Sequence, residues 1–143
     1  MKQRGHTLRN GRCSIPGCCY LITAVTTDRT PIFRDHTHAR LAARAFYADS
    51  VRAHGQTLAY VVMPDHVHWL LKLEGSLSEG VRLYKSTVSV QIDGPVWQRG
   101  FHDHALRQEE DLLATARYIV ANPLRANLVK SVGAYPYWNA AWL

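Results

Sequence analysis

Two apolar runs separated by two residues constrain this chain more than any other feature. "TLAYVVM" ends at Met63, "HVHWLLKL" begins at His66, and Pro64-Asp65 lie between them. Both runs are rich in β-branched and aromatic residues, and Pro-Asp is turn chemistry. The spacing therefore predicts two strands joined as a hairpin and paired antiparallel. Side chains alternate along a strand, so Val67, Trp69, Leu71 and Leu73 share an apolar face suited to burial against helices. His66, His68, Leu70 and Lys72 share the other face. The two imidazoles stand about 7 Å apart along the chain, near enough to present nitrogens to one ion. Such pairs also occur as ordinary strand histidines, and spacing alone does not choose between the two.

The remaining periodicities fill in around this hairpin. "CCYLITAVTT", from Cys18 to Thr27, follows the Pro16-Gly17 break and predicts a first strand. From His36 to His54, Leu41, Ala42, Ala45, Ala48 and Val51 form a stripe that predicts one helix, stopped by Gly55. Ser76 with Glu79 reads as a capping box, and Leu77, Val81, Tyr84, Val88 and Ile92 follow at helical spacing. After Gly94-Pro95, "VWQRGFHDHALR" predicts a fourth strand or extended segment. Glu109, Glu110 and Asp111 then open a third helix that Pro123 ends. The order is β-α-β-β-α-β-α, an α+β chain. Its first six elements match the ferredoxin-like, or RRM-like, split βαβ unit, with helices on one face of an antiparallel sheet. The other face is expected to be left free for function.

At 143 residues the chain is expected to be one domain, 1–143, able to bury roughly two thirds of the surface exposed when unfolded. A basic arm at about 1–16 carries Arg9 and Arg12, and an aromatic tail runs from about 130 to 143. No apolar run approaches the ~20 residues of a membrane span, and the start lacks a signal-type apolar segment. No membrane partner and a cytoplasmic location are expected. Cys13, Cys18 and Cys19 are odd in number and lack paired CxxC spacing, so they read as reduced thiols. Seventeen basic against eleven acidic residues, a net +6, suit a polyanionic partner without identifying one.

In "LLATARYIVANP", Leu112, Leu113, Ala116, Ile119 and Val120 define the apolar stripe of the third helix, and Tyr118 points away from it. Four residues on, Asn122 falls on the face of Tyr118, so a phenol and an amide oxygen are presented together. An amphipathic surface tyrosine and a helix-terminal asparagine before proline account for the same residues.

The combination of "HVH", the tyrosine helix with its Asn, and the strings "YLITAVTTDRTPIF", "YVVMPDHVHWLLKL", "GFHDHALR", "ARYIVANPLRANLV" and "YPYW" resembles the REP-associated tyrosine transposases. These belong to the single-tyrosine HUH transposase superfamily, and the resemblance covers most of the chain. It implies that His66, His68 and Asn122 hold a divalent cation, Mg2+ or Mn2+, and that Tyr118 attacks DNA to form a 5′-phosphotyrosine. It also implies single-stranded DNA hairpins of palindromic repeats as partner, with the chain a monomer or homodimer. The residue types suit that chemistry, since a cation stabilises the leaving 3′ oxygen and a tyrosyl phosphodiester keeps bond energy for rejoining.

A hairpin ligand calls for phosphate contacts and stacking. Arg12, Arg99, Arg107, Arg117 and Arg125 are the candidate phosphate contacts, and Trp97, Tyr135, Tyr137, Trp138 and Trp142 the candidate stackers, although terminal aromatics more often close a core. His102 and His104 flank Asp103 and share a strand face, but the resemblance assigns the ion to "HVH" and leaves them supporting or structural roles. Lys85, beside the second helix's stripe, reads as a solvated lysine. A hairpin-binding module without catalysis is the alternative to a strand-transfer enzyme. A metal-dependent hydrolase in which Tyr118 is incidental is a third reading.

Overall fold

The computed structural model describes residues 17–107 and 109–142. The basic arm, with Arg9, Arg12 and Cys13, lies outside the described residues. Among the described residues, besides three short 3-10 turns, ten strands and α-helices follow in chain order: β1 (Cys19–Val25), α1 (His36–Ala45), α2 (Asp49–Arg52), β2 (Gly55–Met63), β3 (His66–Leu73), α3 (Leu77–Ile92), β4 (His102–Leu106), α4 (Glu109–Val120), α5 (Asn122–Arg125) and β5 (Trp138–Ala140). The strands form one sheet in the order β4-β1-β3-β2-β5, every pair antiparallel. The first four strands keep the split βαβ order, and the tail supplies the fifth.

The hairpin forms as its spacing dictates: Met63 pairs with His66 across the Pro64-Asp65 turn. A one-residue bulge between Thr57 and Ala59 shifts the register. Past it, Ala59, Val61 and Met63 stand beside Leu70, His68 and His66, while the Thr57 hydroxyl accepts the Trp69 indole N–H at 2.9 Å.

One sheet face carries the larger core. Tyr20, Ile22, Ala24, Tyr60, Val62, Val67, Trp69, Leu71 and Leu73 pack there against α1, α2 and α3. Phe46 lies at the centre, stacked on Tyr60 and Tyr84 at ring separations of 4.7 and 4.2 Å. This core breaks the single helix expected from His36 to His54. Phe46 and Val51 are five residues apart, an offset of about 140° around a helix, so one straight helix cannot bury both. The chain leaves the helix at Phe46, Ala48 turns extended (φ −61°, ψ 143°), and α2 restarts with Val51 buried. Around α3 the Ser76 side chain caps the Glu79 N–H as expected. The return half of the box is absent: Glu79 pairs with Arg82, and the Ser76 N–H donates to His54 Nδ1.

The opposite face is not left free. Ala116, Ile119 and Val120 of α4 close a second core there over Cys19, Val61, Met63, Leu70 and Ala140. The stripe expected of the third helix is what seats it, and Tyr118 is left 51% exposed. The helix ends at Val120 because Pro123 has no N–H for the next rung, and α5 restarts with that proline in its first turn. Asn122 therefore opens a separate turn instead of extending the tyrosine helix. Tyr135, Tyr137 and Trp138 are structural: Tyr135 Oη donates to Val62 O at 2.6 Å, and Trp138 belongs to β5 and the second core. Trp97 packs against Phe33 and Tyr84. Of the expected stackers only Trp142 is well exposed, at 43%.

Candidate active site

Register brings the site together. His68 of β3 pairs with Thr23 of β1, and Thr23 pairs in turn with His102 of β4. Paired residues of an antiparallel sheet point the same way, so His66, His68, Thr23 and His102 share the face on which α4 lies. The imidazoles of His66 and His68 meet edge-on with centroids 4.8 Å apart, and the His68 ring is 6.3 Å from that of Tyr118. Helix α4 is held over the sheet by Ile119, fully buried, so its exposed neighbour Tyr118 comes to the end of β3 that carries the histidines.

Each histidine is oriented through Nδ1. His66 Nδ1 is 2.7 Å from Asp65 Oδ1, and His68 Nδ1 is 2.9 Å from Thr23 Oγ1. A carboxylate only accepts, so His66 carries a proton on Nδ1, and the neutral form of the ring has its lone pair on Nε2. Asp65 is itself fixed by Arg29 Nε at 3.0 Å, while its backbone carbonyl accepts the N–H of fully buried Thr26. Arg29 reaches it from an exposed turn in which Asp28 and Arg29 both have positive φ, 54° and 53°, backbone that non-glycine residues rarely adopt, and the Arg29 N–H donates to Thr26 O at 3.0 Å across it. Burial pushes the Asp65 carboxyl up, but the bonds and charges of His66 and Arg29 outweigh it and hold it below its ordinary value. Burial, with the neighbouring His66 and Arg125, pushes His68 down to about 4. At neutral pH its imidazole is uncharged and able to act as a ligand.

Arg125 ties the tyrosine to the asparagine. Its guanidinium carbon lies 3.9 Å above the Tyr118 ring, and its Nη2 donates to Tyr118 O at 2.9 Å and to Asn122 Oδ1 at 3.2 Å. The amide oxygen named as a candidate ligand thus accepts from an arginine here. His66, His68, Tyr118, Asn122 and Arg125 form one assembly.

Of the other candidate arginines, Arg99, Arg107 and Arg117 stand apart from it, and Arg12 lies outside the described residues. Arg99 and His102 line a pocket beside Thr23. Arg107 lies past the far end of β4, near Cys19 and Lys72, and Arg117 borders a groove with Trp142. His104 faces a groove under α4, with Asp111 among its lining residues. Lys85 is not solvated: it is half-buried, and its ammonium donates to the carbonyls of Gln98, at 3.0 Å, and Gly100.

The sequence reading missed Asp65, Thr23 and Arg29 as members of the site. Asp65 had a visible signal, adjacency to His66, but its turn position explained it fully. Thr23 lies 45 residues from His68, and only strand register joins them.

The donor set suits a divalent cation in part. Two imidazoles with Nδ1 engaged are the arrangement of metal-binding histidines, with outer partners fixing ring and tautomer. Among the described residues no group of three or more His, Cys, Asp and Glu side chains is placed to hold a metal ion. A cation here would rely on Asn122, substrate oxygens and water for the rest of its shell.

Comparison with known proteins bears on the family and the fold. The chain is 27% identical over 141 residues to a Haemophilus influenzae protein assigned as a REP-associated tyrosine transposase, covering 85% of this chain and 78% of the relative. It is 30% identical over 83 residues to the REP-associated tyrosine transposase of Escherichia coli K12, covering 55% of this chain and 50% of the relative. A solved structure of a REP-associated tyrosine transposase bound to a REP hairpin superposes with a TM-score of 0.74 at 24% identity, over 89% of this chain and 79% of that one, a likeness of fold. The profile of the family described as "Transposase IS200 like" matches residues 14–122, so the chain belongs to the IS200-like transposase family.

Proposed function

We propose that this protein cleaves and rejoins single-stranded DNA beside hairpins of palindromic repeats, with Tyr118 as nucleophile. The observation that carries the reading is the meeting of an exposed tyrosine with two Nδ1-anchored histidines on one sheet face. The hairpin-bound relative of the same fold and the net +6 charge favour this class of DNA.

Tyr118 Oη attacks the scissile phosphorus and gives up its proton to solvent. The new P–O bond replaces the bond to the 3′ oxygen, which leaves with its electron pair and takes up a proton. A 3′ hydroxyl reverses the sequence and releases Tyr118, so no hydrolysis is needed. His66 and neutral His68 present ring nitrogens beside the phosphate, His68 using Nε2 as a lone pair when its Nδ1–H donates to Thr23 Oγ1, and Asn122 offers an amide oxygen once Arg125 turns from it to the anionic substrate. A bound Mg2+ or Mn2+ would supply Lewis-acid stabilisation of the phosphate and leaving oxygen. Arg125, stacked on the phenol ring, places positive charge where the phosphate must enter.

The test is incubation with end-labelled single-stranded hairpin DNA and Mg2+ or Mn2+, followed by a denaturing gel. A covalent adduct is expected from the native protein and none from Tyr118→Phe, which removes one exposed hydroxyl and leaves hairpin binding intact. Binding with no adduct from the native protein would instead favour the hairpin-binding module.

A further inference from the structure

The segment between α3 and β4 has little regular structure, yet it is fastened at several points. Thr27 N donates to Val96 O and Gln98 N to Val25 O, each at 2.9 Å, and Thr26 and Trp97 form an isolated antiparallel bridge. The Trp97 indole donates to Lys85 O at 3.1 Å. Beyond these, the Lys85 ammonium gathers the carbonyls of Gln98 and Gly100, the latter at a glycine with φ +80°. Burial pushes this lysine down to about 8, so its placement is unfavourable in itself.

What this fastening holds open is a pocket of about 410 Å³ between the loop and β1, lined by Thr23, Val25, Gln98, Arg99, Phe101 and His102. Thr23 forms its wall toward the active site, with Oγ1 on His68 Nδ1. The pocket therefore begins one strand over from His68, a step of roughly 5 Å. Val25 and Phe101 offer apolar surface to the face of a planar ring. Exposed Gln98 carries both a donor and an acceptor for a ring edge, and exposed Arg99 carries charge for a phosphate. A site of this size with apolar walls and a few polar groups at the rim suits one nucleoside.

We propose that this pocket is a nucleobase subsite, which receives the base of a nucleotide next to the phosphate attacked by Tyr118, and that Lys85 is the positioning residue that fixes its outer wall. The inference rests on single-stranded DNA as the substrate and adds to it a sequence preference at one defined position. A wall fixed before DNA arrives costs less to order on binding.

The experiment uses the full chain and a series of fluorescent single-stranded hairpin oligonucleotides. Each carries one abasic site, moved stepwise along the single-stranded flank, and affinity is read by anisotropy in EDTA. In the native protein one position is expected to lose about tenfold on removal of its base. That penalty should fall to near unity in Lys85→Met and return in Lys85→Arg, with the other positions unchanged, an effect that general destabilisation would not confine to one nucleotide. Gln98→Ala, on an exposed loop, should keep the fold and flatten the preference among the four bases at that position.

An undiminished penalty in folded Lys85→Met, or an unchanged base preference in Gln98→Ala, overturns the proposal. Hairpin binding and adduct formation with no base position standing out overturns the pocket alone and leaves the DNA reading in place. Absence of any hairpin binding overturns both.

Discussion

Asp65 is one residue from His66 in the chain, yet its importance lies in the proton it fixes on His66 Nδ1, 2.7 Å away. Asp65→Ala should free that ring and let the other tautomer form, weakening Mn2+ binding about tenfold or more in calorimetric titration of the DNA-free protein. Unchanged affinity would remove Asp65 from the site. His68 makes a second test at this scale. Its folded value of about 4 lies below the ordinary 6.5. Between these values the unfolded chain takes up a proton that the folded chain refuses. The contribution of neutral His68 to stability is thus complete above about pH 6.5 and is lost as pH falls through about 4. In metal-free protein the NMR titration of His68 should run well below that of a free histidine, and a midpoint at the ordinary value would contradict the buried, paired environment. The exposure of Tyr118 was legible, as a tyrosine out of phase with its helix's apolar stripe, because that is a local property. The Arg125 contact across Tyr118 and Asn122 was not, because it depends on the restart at α5.

Helix α4 shows how an element turns burial into position. Ile119 is fully buried in the second core while Tyr118 beside it is exposed, so one residue anchors the helix and its neighbour is held out beside His68. Ile119→Ala should cost about 2–5 kcal/mol in urea unfolding, from lost transfer energy and the cavity left behind. It should also reduce adduct formation at denaturant-free conditions where the chain remains folded, since α4 loses its seat on β2 and β3. Loss of stability with full adduct yield would mean that Tyr118 is positioned by something other than α4. The hairpin and α3 were readable because their signals are local: alternation, turn chemistry and a serine cap. The break between α1 and α2 was not, because it answers to the aromatic stack of Phe46 with Tyr60 and Tyr84, residues 14 and 38 positions away. Nor was β5, whose three residues carry no period of their own and become a strand by pairing with β2.

For the whole molecule, the net charge of +6 and an exposed tyrosine above a sheet make two linked expectations. Hairpin affinity should fall linearly with salt on logarithmic axes as counterions are released from phosphates. A single-stranded hairpin flank should be cut while the same sequence in perfect duplex is not, because a paired, stacked backbone must first be opened and this fold has no motor for that. Equal cutting of the two, side by side with Mg2+, would point to an ordinary metal-dependent nuclease. Among the described residues no helix is long and apolar enough to cross a membrane. By itself the sequence determined the α+β class, the antiparallel hairpin, the opposed faces of β3, and the family signature joining His66 and His68 to Tyr118 and Asn122, since these are carried by spacing within short segments and by their order along the chain. Only the tertiary structure decided that α4 covers the histidine face, that Thr23 and Asp65 orient the two rings, that Arg125 bridges Tyr118 and Asn122, and that Lys85 holds a pocket wall. These are contacts made when distant segments share a register or a core, and the free energy of packing that selects them has no local trace in the order of residues.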